Sequence, residues 1–484
     1  MSIQTAFQAA FDFFDELPVI VEVSDKQLSG DAGLLPIREF DERIGWTKLF
    51  ADALEDGRVA NLVDHSFLEM SRSRIYGILA DYVDQNDHDT LRHDPIFKLI
   101  AGRSPNDDDL ASQPTLSRFE NGINIQSLFR LETLFIDQFI ASFATPPKHL
   151  TLDIDAVDDP AHGAQQLVLF HGHFDQHQYF PNFITCADNQ QFVQLALRHG
   201  SAPAAFATDS DLRTVVTRLR ASWPGVHLHI RGDAGYGVPD MYRMCEQLGV
   251  DYTFGIAVNN VLKTRGEEFL DEAVRLFEQT KTPQRLFGAF WYKAKSWEAQ
   301  RWIIVKVEAN SQGTNQRFIV TNRPGAKVLF EAAYDEYAMR GESENRNKEF
   351  KCQMGMDRTS DHRFVANYFR LYLHAAALNL LVRLRREIAS PPPTSNPEVT
   401  TEALEGEQRR KHSRARRRKD PLGGGQPCTW RSLIVKVAAE VVVSTRRIVI
   451  RLSSSWPHLD YFKKLCQQIH RRPVSPAAFS QPSG

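Results

Sequence analysis

One short segment restricts the fold of this chain more than any other, because apolar and polar side chains alternate there without a break. Leu150, Leu152 and Ile154 would lie on one face of a β-strand. Asp153 and Asp155 would lie together on the opposite, polar face. The sequence therefore predicts a half-buried strand that carries an acidic pair.

The segments after this strand predict an α/β sheet. Residues 165–174 and 179–186 read as strands, and residues 189–198 and 210–222 read as helices. A strand over 226–230, a helix that begins near Pro239 and a strand over 251–258 follow. Three strands followed by alternating helices and strands is the order of an RNase-H-like α/β core. Aromatic and β-branched runs over residues 285–322 then predict an antiparallel β insertion, and two helices are expected over 328–352 and 361–388.

The flanking segments have a different character. Apolar residues recur at three- and four-residue spacing over residues 35–54, 67–83 and 125–143, so a helical N-terminal domain without strands is expected. Residues 390–427 are rich in Pro, Gly, Ser and charge, which predicts a linker. Its residues 409–419 include eight Lys or Arg, and they would either contact DNA phosphates or form a solvated segment. Residues 430–452 read as one or two strands.

Composition excludes several classes of protein. The 484 residues have a net charge of -2, which argues neither for nor against a nucleic-acid partner. Five cysteines without a C-x-x-C pair favour free thiols in a reducing cytosol. We find no signal peptide and no apolar run of membrane length, and therefore expect no membrane association. His171, His173 and His177 lack a further ligand at zinc spacing, and the glycines after residue 231 do not form a dinucleotide-binding motif.

Acidic residues stand at three places that the predicted fold would bring together. Asp153 and Asp155 lie on the first core strand, and Asp233 follows a later strand, where open α/β sheets bind their ligands. Glu344 lies on a helix after the insertion. Carboxylates suit Mg²⁺, and two such ions can activate the attacking oxygen and stabilise the leaving oxygen in phosphoryl transfer.

The helix around Glu344 carries the most specific pattern in the chain. Tyr337, Arg340, Glu344 and Lys351 have the spacing Y-x2-R-x3-E-x6-K. At 3.6 residues per turn they would form one stripe, which Lys348 shares. One face of the helix would then offer a carboxylate for a metal ion, with cations and a phenol beside it for phosphate.

This spacing resembles the YREK signature of the bacterial insertion-sequence DDE transposases. The chain is similar to one branch of that family over most of residues 30–460, the basic linker excepted. The segments that carry the wider resemblance are residues 86–89, 116–121, 152–155, 159–163, 230–233, 357–360 and 367–370.

The resemblance implies a metal-dependent nuclease and strand-transferase with Asp155, Asp233 and Glu344 as its catalytic triad. These residues, with Asp153, would hold two Mg²⁺ ions, which Mn²⁺ could replace. Relatives usually show D-x-T after the first strand, whereas Ala156 and Val157 follow here. Asp155 is the preferred first aspartate and Asp153 stays the alternative.

The same resemblance assigns partners and the reaction. Tyr337, Arg340, Lys348 and Lys351 would contact the DNA backbone, and the expected reaction is cut-and-paste transposition at terminal inverted repeats. The resemblance implies that the partner is double-stranded DNA and that the protein forms a homodimer on that DNA. It also implies a location in the bacterial cytosol, associated with the nucleoid. The alternatives are a DNA-binding remnant without catalysis and a general RNase-H-like nuclease; an intact acidic triad disfavours the first, and the helical N-terminal domain disfavours the second.

The predicted domains divide the chain into six parts. They are a helical N-terminal DNA-binding domain over 1–147, the first part of the catalytic core over 148–258, the β-rich insertion over 259–325, the second part of the core with the YREK helix over 326–389, the basic flexible linker over 390–428 and a C-terminal segment over 429–484.

Overall fold

A computed structural model describes residues 7–11, 13, 16–325, 328–389, 414–415 and 417–470. Most of the predicted basic linker, residues 390–413 and 416, lies outside the described residues, as do residues 471–484.

The N-terminal part consists of three short strands followed by seven helices. The strands are β1 (Gln8–Phe11), β2 (Val19–Glu22) and β3 (Gln27–Ser29). The helices are α1 (Leu34–Ile44), α2 (Trp46–Asp52), α3 (Phe67–Leu79), α4 (His88–Leu91), α5 (Pro95–Ala101), α6 (Gln113–Gly122) and α7 (Ile125–Ala141). The helical prediction is confirmed from residue 34 onward. The strands were not predicted, and the helix expected over 35–54 is divided because Gly45 adopts a left-handed conformation with φ of +67°.

A mixed sheet forms the middle of the molecule. Its first five strands along the chain are β4 (His149–Ala156), β8 (Asn182–Cys186), β9 (Phe192–Ala196), β10 (His227–Gly232) and β11 (Asp251–Gly255). Three short strands stand between β4 and β8 in the sequence: β5 (Asp159–Pro160), β6 (Leu169–His171) and β7 (Gln176–Tyr179). Strands β5, β6 and β7 form a separate three-stranded sheet. In the large sheet the order β9-β8-β4-β10-β11 combines an antiparallel meander with parallel strands that α8 (Thr208–Ser222) and α9 (Pro239–Leu248) connect.

The prediction of a helix over residues 189–198 is wrong. Strand β9 occupies that position and forms an edge of the large sheet. Gln194 and Leu195 have good helix propensity, which favoured the helical interpretation. Phe192, Val193, Gln194 and Leu195 are all buried, however. A strand that is covered on both faces loses its polar alternation, and short buried runs are therefore easily mistaken for helices.

The insertion is confirmed as antiparallel and continues the large sheet. It begins with α10 (Asn260–Thr280), a helix that the sequence analysis did not assign, and continues with β12 (Gln284–Tyr292), β13 (Arg301–Asn310) and β14 (Gly313–Thr321). Strand β14 pairs with β11, which gives the full order β12-β13-β14-β11-β10-β4-β8-β9.

The helix expected over residues 328–352 is broken into three pieces. These are α11 (Phe330–Ala338), α12 (Gly341–Lys348) and a π-helical turn over Glu349–Gln353. A single helix therefore does not carry the whole predicted stripe. Helix α13 (Phe364–Ile388) follows as predicted, and its side chains are buried along almost its entire length.

The C-terminal part contains α14 (Pro427–Trp430) with a π-helical turn over Arg431–Val435, the strands β15 (Ala439–Val443) and β16 (Ile448–Leu452), and α15 (Leu459–His470). Strand β15 pairs with β16 and with β3, so the two ends of the described chain share one sheet.

The two largest hydrophobic cores lie on the two faces of the large sheet. One joins the N-terminal helices, α13, β8, β9 and the C-terminal part. The other lies between the sheet and helices α7 to α10. The first core crosses the predicted boundaries at 147, 389 and 428, so these segments pack as one body. Of the five free cysteines, Cys186 and Cys245 are buried.

Candidate active site

Strand pairing brings the first two predicted catalytic aspartates next to each other. Strands β4 and β10 are parallel neighbours, and their register pairs Ile154 with Gly232. The next residues along the two strands are Asp155 and Asp233. Both carboxylates therefore stand at the carboxyl end of adjacent strands, which is where the sequence analysis expected them.

A tight turn fixes Asp233 at the end of β10. Its Oδ1 accepts a hydrogen bond of 2.8 Å from the backbone N–H of Gly235, so the residue caps a short 3₁₀ turn. A Cβ atom on Gly255 would lie 2.8 Å from the nitrogen of Ala234 and 2.9 Å from the hydroxyl of Tyr337. Only glycine allows β11 to approach this turn so closely.

Glu344 reaches the same place from helix α12 and contacts Arg340. The Oε1 of Glu344 accepts a hydrogen bond of 3.0 Å from Nη2 of Arg340, while Nη1 of the same guanidinium lies 3.6 Å from Oδ2 of Asp155. One guanidinium thus lies between two predicted triad members. Glu344 is 57% exposed and Arg340 is 14% exposed, so the glutamate is the side chain of this pair that faces solvent.

The electrostatic environment of Asp155 shows that the three carboxylates influence one another. Burial, together with the smaller effects of the negative charges of Asp233 and Glu344, raises the pKa of Asp155 to about 7, against the opposing charge of Arg340. Oδ2 of Asp155 also accepts a hydrogen bond of 2.9 Å from Nδ2 of Asn347. A carboxyl with these neighbours needs added positive charge to stay ionised at neutral pH.

Asp153 has a different environment, although it lies on the same face of β4. Its two oxygens accept hydrogen bonds of 2.6 and 2.8 Å from Nε and Nη2 of Arg231. Both residues are almost fully buried, and Arg231 also donates to the backbone oxygen of Glu336. This fork-to-carboxylate pair occupies both oxygens of Asp153.

The predicted DNA-contacting residues lie around the acids but not on one stripe. The hydroxyl of Tyr337 lies beside the Asp233 turn, and its pKa is raised mainly by burial. Lys348 is exposed at the end of α12. Lys351 lies in the π-helical turn, where its Nζ donates to the backbone oxygen of Asp158 at 2.8 Å and lies 2.9 Å from that residue's carboxylate.

The donor set fits a divalent cation, although its atoms are not arranged around one. No group of three His, Cys, Asp or Glu side chains within the described residues is close enough to chelate an ion. The carboxylates of Asp233 and Glu344 nevertheless add to the effect of burial in raising the pKa of Asp155, and the Arg340 guanidinium partly compensates them. A turn of the exposed Glu344 side chain away from Arg340 would free oxygens of the hard type that Mg²⁺ prefers.

Two residues of this site were not identified from the sequence. Asn347 follows Glu344 by three residues on α12, which is the spacing of neighbours on one helix face, so its position could have been found. Arg231 precedes Asp233 by two residues on β10 and so shares its face. Its pairing with Asp153 could be seen only once the two strands were known to be neighbours.

The three histidines near β6 and β7 remain without a metal-binding arrangement among the described residues. The rings of His171 and His173 are 6.4 Å apart, and the rings of His171 and Phe180 are 5.0 Å apart. In the part of the chain that the structure describes, no helix is both long and apolar enough to cross a membrane.

Comparison with known proteins found one family and several solved structures that are similar to this chain. The family model described as "Transposase DDE domain group 1" matches residues 11–403. A solved structure described as the cryo-EM structure of the piggyBac transposase synaptic complex with hairpin DNA is 12% identical in sequence, with a TM-score of 0.36, and the similarity covers 77% of this chain and 80% of that one. No curated protein matches the chain.

Proposed function

This chain belongs to the transposase DDE domain group 1 family, and we propose that it cleaves DNA at the terminal inverted repeats of its element and transfers the freed ends to target DNA by a cut-and-paste route. The observation that carries this proposal is the convergence of Asp155, Asp233 and Glu344, with the guanidinium of Arg340 between Asp155 and Glu344. Three elements far apart in sequence, β4, the turn after β10 and α12, supply these carboxylates.

The strand order supports an RNase-H-like core. In this reading β4, β8 and β9 form the antiparallel meander, and β10 and β11 are the parallel strands on its other side. The insertion between Asp233 and Glu344 then extends the sheet beyond β11. The domain limits predicted from the sequence remain part of the proposal. One hydrophobic core extends across three of these limits, at residues 147, 389 and 428.

DDE transposases generally use divalent metal ions. We assign Asp155, Asp233 and Glu344 as the residues that would hold two Mg²⁺ ions, with Mn²⁺ as a substitute. The pairing of Asp153 with Arg231 supports Asp155 as the first triad member and gives Asp153 a positioning role, because both Asp153 oxygens are occupied. When bound, the ions would lower the pKa of a bound water and neutralise charge on the phosphate.

The chain's own side chains would position the DNA. Arg340 would release Glu344 and bind a backbone phosphate near the scissile bond, because a guanidinium suits bidentate phosphate contact. Tyr337, beside the Asp233 turn, would contact the same strand, and exposed Lys348 would contact a phosphate further along it. Lys351 would do so only after leaving Asp158. Phosphate contacts of this kind fix register without reading sequence.

Two partners complete the proposal. Double-stranded DNA would supply both the terminal repeats and the target, and the N-terminal helices would read the repeat. Cut-and-paste transposition joins two ends, so we propose a homodimer when DNA is bound. Light scattering of the end complex tests this point, and a monomeric complex would contradict it.

The test of catalysis is cleavage of a labelled duplex that carries the element's own terminal repeat, with Mg²⁺ or Mn²⁺ present. Wild type should nick at the repeat boundary, and Glu344→Ala should not. Glu342→Ala is the matched control, because Glu342 lies on the same helix and its carboxylate accepts a hydrogen bond from Asn345 rather than from a residue of the proposed site. Binding of the repeat without cleavage by the wild type would instead identify a DNA-binding remnant.

A further inference from the structure

A polar cavity of about 270 Å³ lies between the N-terminal helices and the loop before α13. The residues that line it come from five separate segments, and Val83 is the only apolar one among them: Arg74, Val83, Asp84, Gln85, Asn86, Gln113, Ser117, Arg358, Ser360, Asp361 and Arg370. Three of these segments also carry parts of the family resemblance, at residues 86–89, 116–121 and 357–360, although the proposed chemistry uses none of them.

Two N–H donors in the cavity wall have no partner. Arg74 is 2% exposed and Gln85 is 8% exposed, yet Nη1 of Arg74 and Nε2 of Gln85 make no hydrogen bond within the described residues. A buried donor without an acceptor costs about 1–3 kcal/mol. Because both unpartnered groups are donors, a ligand that brings acceptor oxygens to them would satisfy both.

The two buried guanidiniums of the cavity, those of Arg74 and Arg370, are held by an acidic neighbour. Glu120 accepts hydrogen bonds from Arg74 at 2.7 Å and from Arg370 at 2.6 Å, so two guanidiniums share one buried carboxylate. Asp361 lies 3.7 Å from Arg370 and accepts a hydrogen bond from Asn121. Arg358 is exposed, and no side-chain partner balances its guanidinium among the described residues. The lining therefore holds three guanidiniums, of which that of Arg358 is exposed, beside the carboxylates of Asp84 and Asp361.

The chemistry of the lining identifies a phosphate group as the ligand. A flipped base would need an aromatic or apolar surface to stack on, and the lining offers only Val83. A phosphate brings only acceptor oxygens and pairs well with guanidinium and amide donors. Resting on the proposed function, we infer that this cavity binds a backbone phosphate of the transposon-end DNA.

The position of the loop supports DNA over a free phosphate ion. Thr359, between Arg358 and Ser360 of the cavity, donates to Asp159 at 2.9 Å. The neighbouring residue, Asp158, is the partner of Lys351. One loop thus connects the cavity with the β4 end of the acidic site, so a duplex that reaches Asp155 could also place a phosphate on this wall.

Gln85→Met tests the inference without leaving a polar group unpaired. The substitution removes the free Nε2 donor and keeps the length of the side chain, so the melting temperature should stay unchanged or rise. The affinity for a fluorescent duplex that carries the terminal repeat should fall about tenfold, the usual effect of losing a hydrogen bond to a charged group. Unchanged affinity would overturn the inference.

Arg358→Ala adds a test of charge. For this variant the slope of log affinity against log salt concentration should become shallower by about 0.9, the contribution of one phosphate contact. Arg446→Ala is the matched control, since Arg446 is an exposed arginine on the turn between β15 and β16. An equal change in slope for the two variants would contradict a specific contact at the cavity.

Two further measurements separate the possible sources of phosphate. Inorganic phosphate and dAMP are compared with chloride at equal ionic strength for their effect on the melting temperature of the wild type and of Gln85→Met. The assignment to DNA would be overturned if inorganic phosphate or dAMP raised the melting temperature of the wild type alone while the two proteins bound the duplex with equal affinity. Loss of duplex affinity in Gln85→Met supports the cavity even if the wild type cleaves no DNA, so the two proposals can fail separately.

Discussion

The two aspartates of β4 should respond in opposite directions to the same substitution. Asp153 forms a buried pair with Arg231, whose guanidinium would lose its charged partner in Asp153→Asn. Breaking a buried ion pair on one side costs about 3–5 kcal/mol. The free energy of unfolding should therefore decrease by about that amount.

Asp155→Asn should increase the free energy of unfolding above neutral pH in metal-free buffer. The pKa of Asp155 rises from 3.8 to about 7 on folding. The folded chain therefore binds a proton that the unfolded chain releases between these values, and stability decreases as the pH rises through this window. At about 1.4 kcal/mol per pKa unit the cost reaches at most roughly 4 kcal/mol at alkaline pH. Asparagine carries no charge and avoids it.

Urea unfolding at about pH 8 with EDTA measures both effects, and the same titration at about pH 4 is the control, because the gain for Asp155→Asn should vanish there. Duplex cleavage should be lost in Asp155→Asn despite its higher stability. A decrease in stability for both variants at pH 8 would refute the reasoning, since it would mean that Asp155 is also held by a structural ion pair.

Three further substitutions test other parts of the structure. Asp211→Asn should raise the melting temperature at about pH 8 but not at about pH 4, because burial and the nearby Glu132 raise the pKa of Asp211 to about 7; an equal gain at both pH values would contradict this. Gly255→Ala should reduce cleavage at least tenfold, since a Cβ would displace the Asp233 turn, and repeat binding in a gel-shift assay should change little. Glu120→Gln should lower the free energy of unfolding by about 3–5 kcal/mol in urea, because its two arginine partners would lose their shared charge; a loss below 1 kcal/mol would show that the two arginines do not depend on it.

The sequence could predict the elements that bear the acids because each has a strong local pattern. Strict alternation identified β4, and the strand before Asp233 ends in a glycine-rich turn that marks its boundary. Helix α10 could also have been found, since Asn259 is a typical N-cap and its side chain accepts the N–H of Leu262. The start of α10 is therefore a local feature of the sequence.

Other features depend on contacts that no local pattern contains. Strand β9 is buried on both faces, which removes the alternation that would distinguish it from a helix. The π-helical turn at Glu349 follows α12 without a proline or glycine to announce it. The pairing of β3 with β15 joins residues about 400 positions apart, and a short strand says nothing about so distant a partner.

The core that the N-terminal helices share with α13 determines how soon those helices can finish folding during synthesis. The indole N–H of Trp46 on α2 donates to the backbone oxygen of Ala376 on α13, 330 residues later. At a translation rate of about 5–20 residues per second, roughly 15 to 65 seconds separate the synthesis of these partners. The N-terminal helices must wait that long for the surface that covers them, so a ribosome that stops early releases a chain whose proposed DNA-reading part has no completed core.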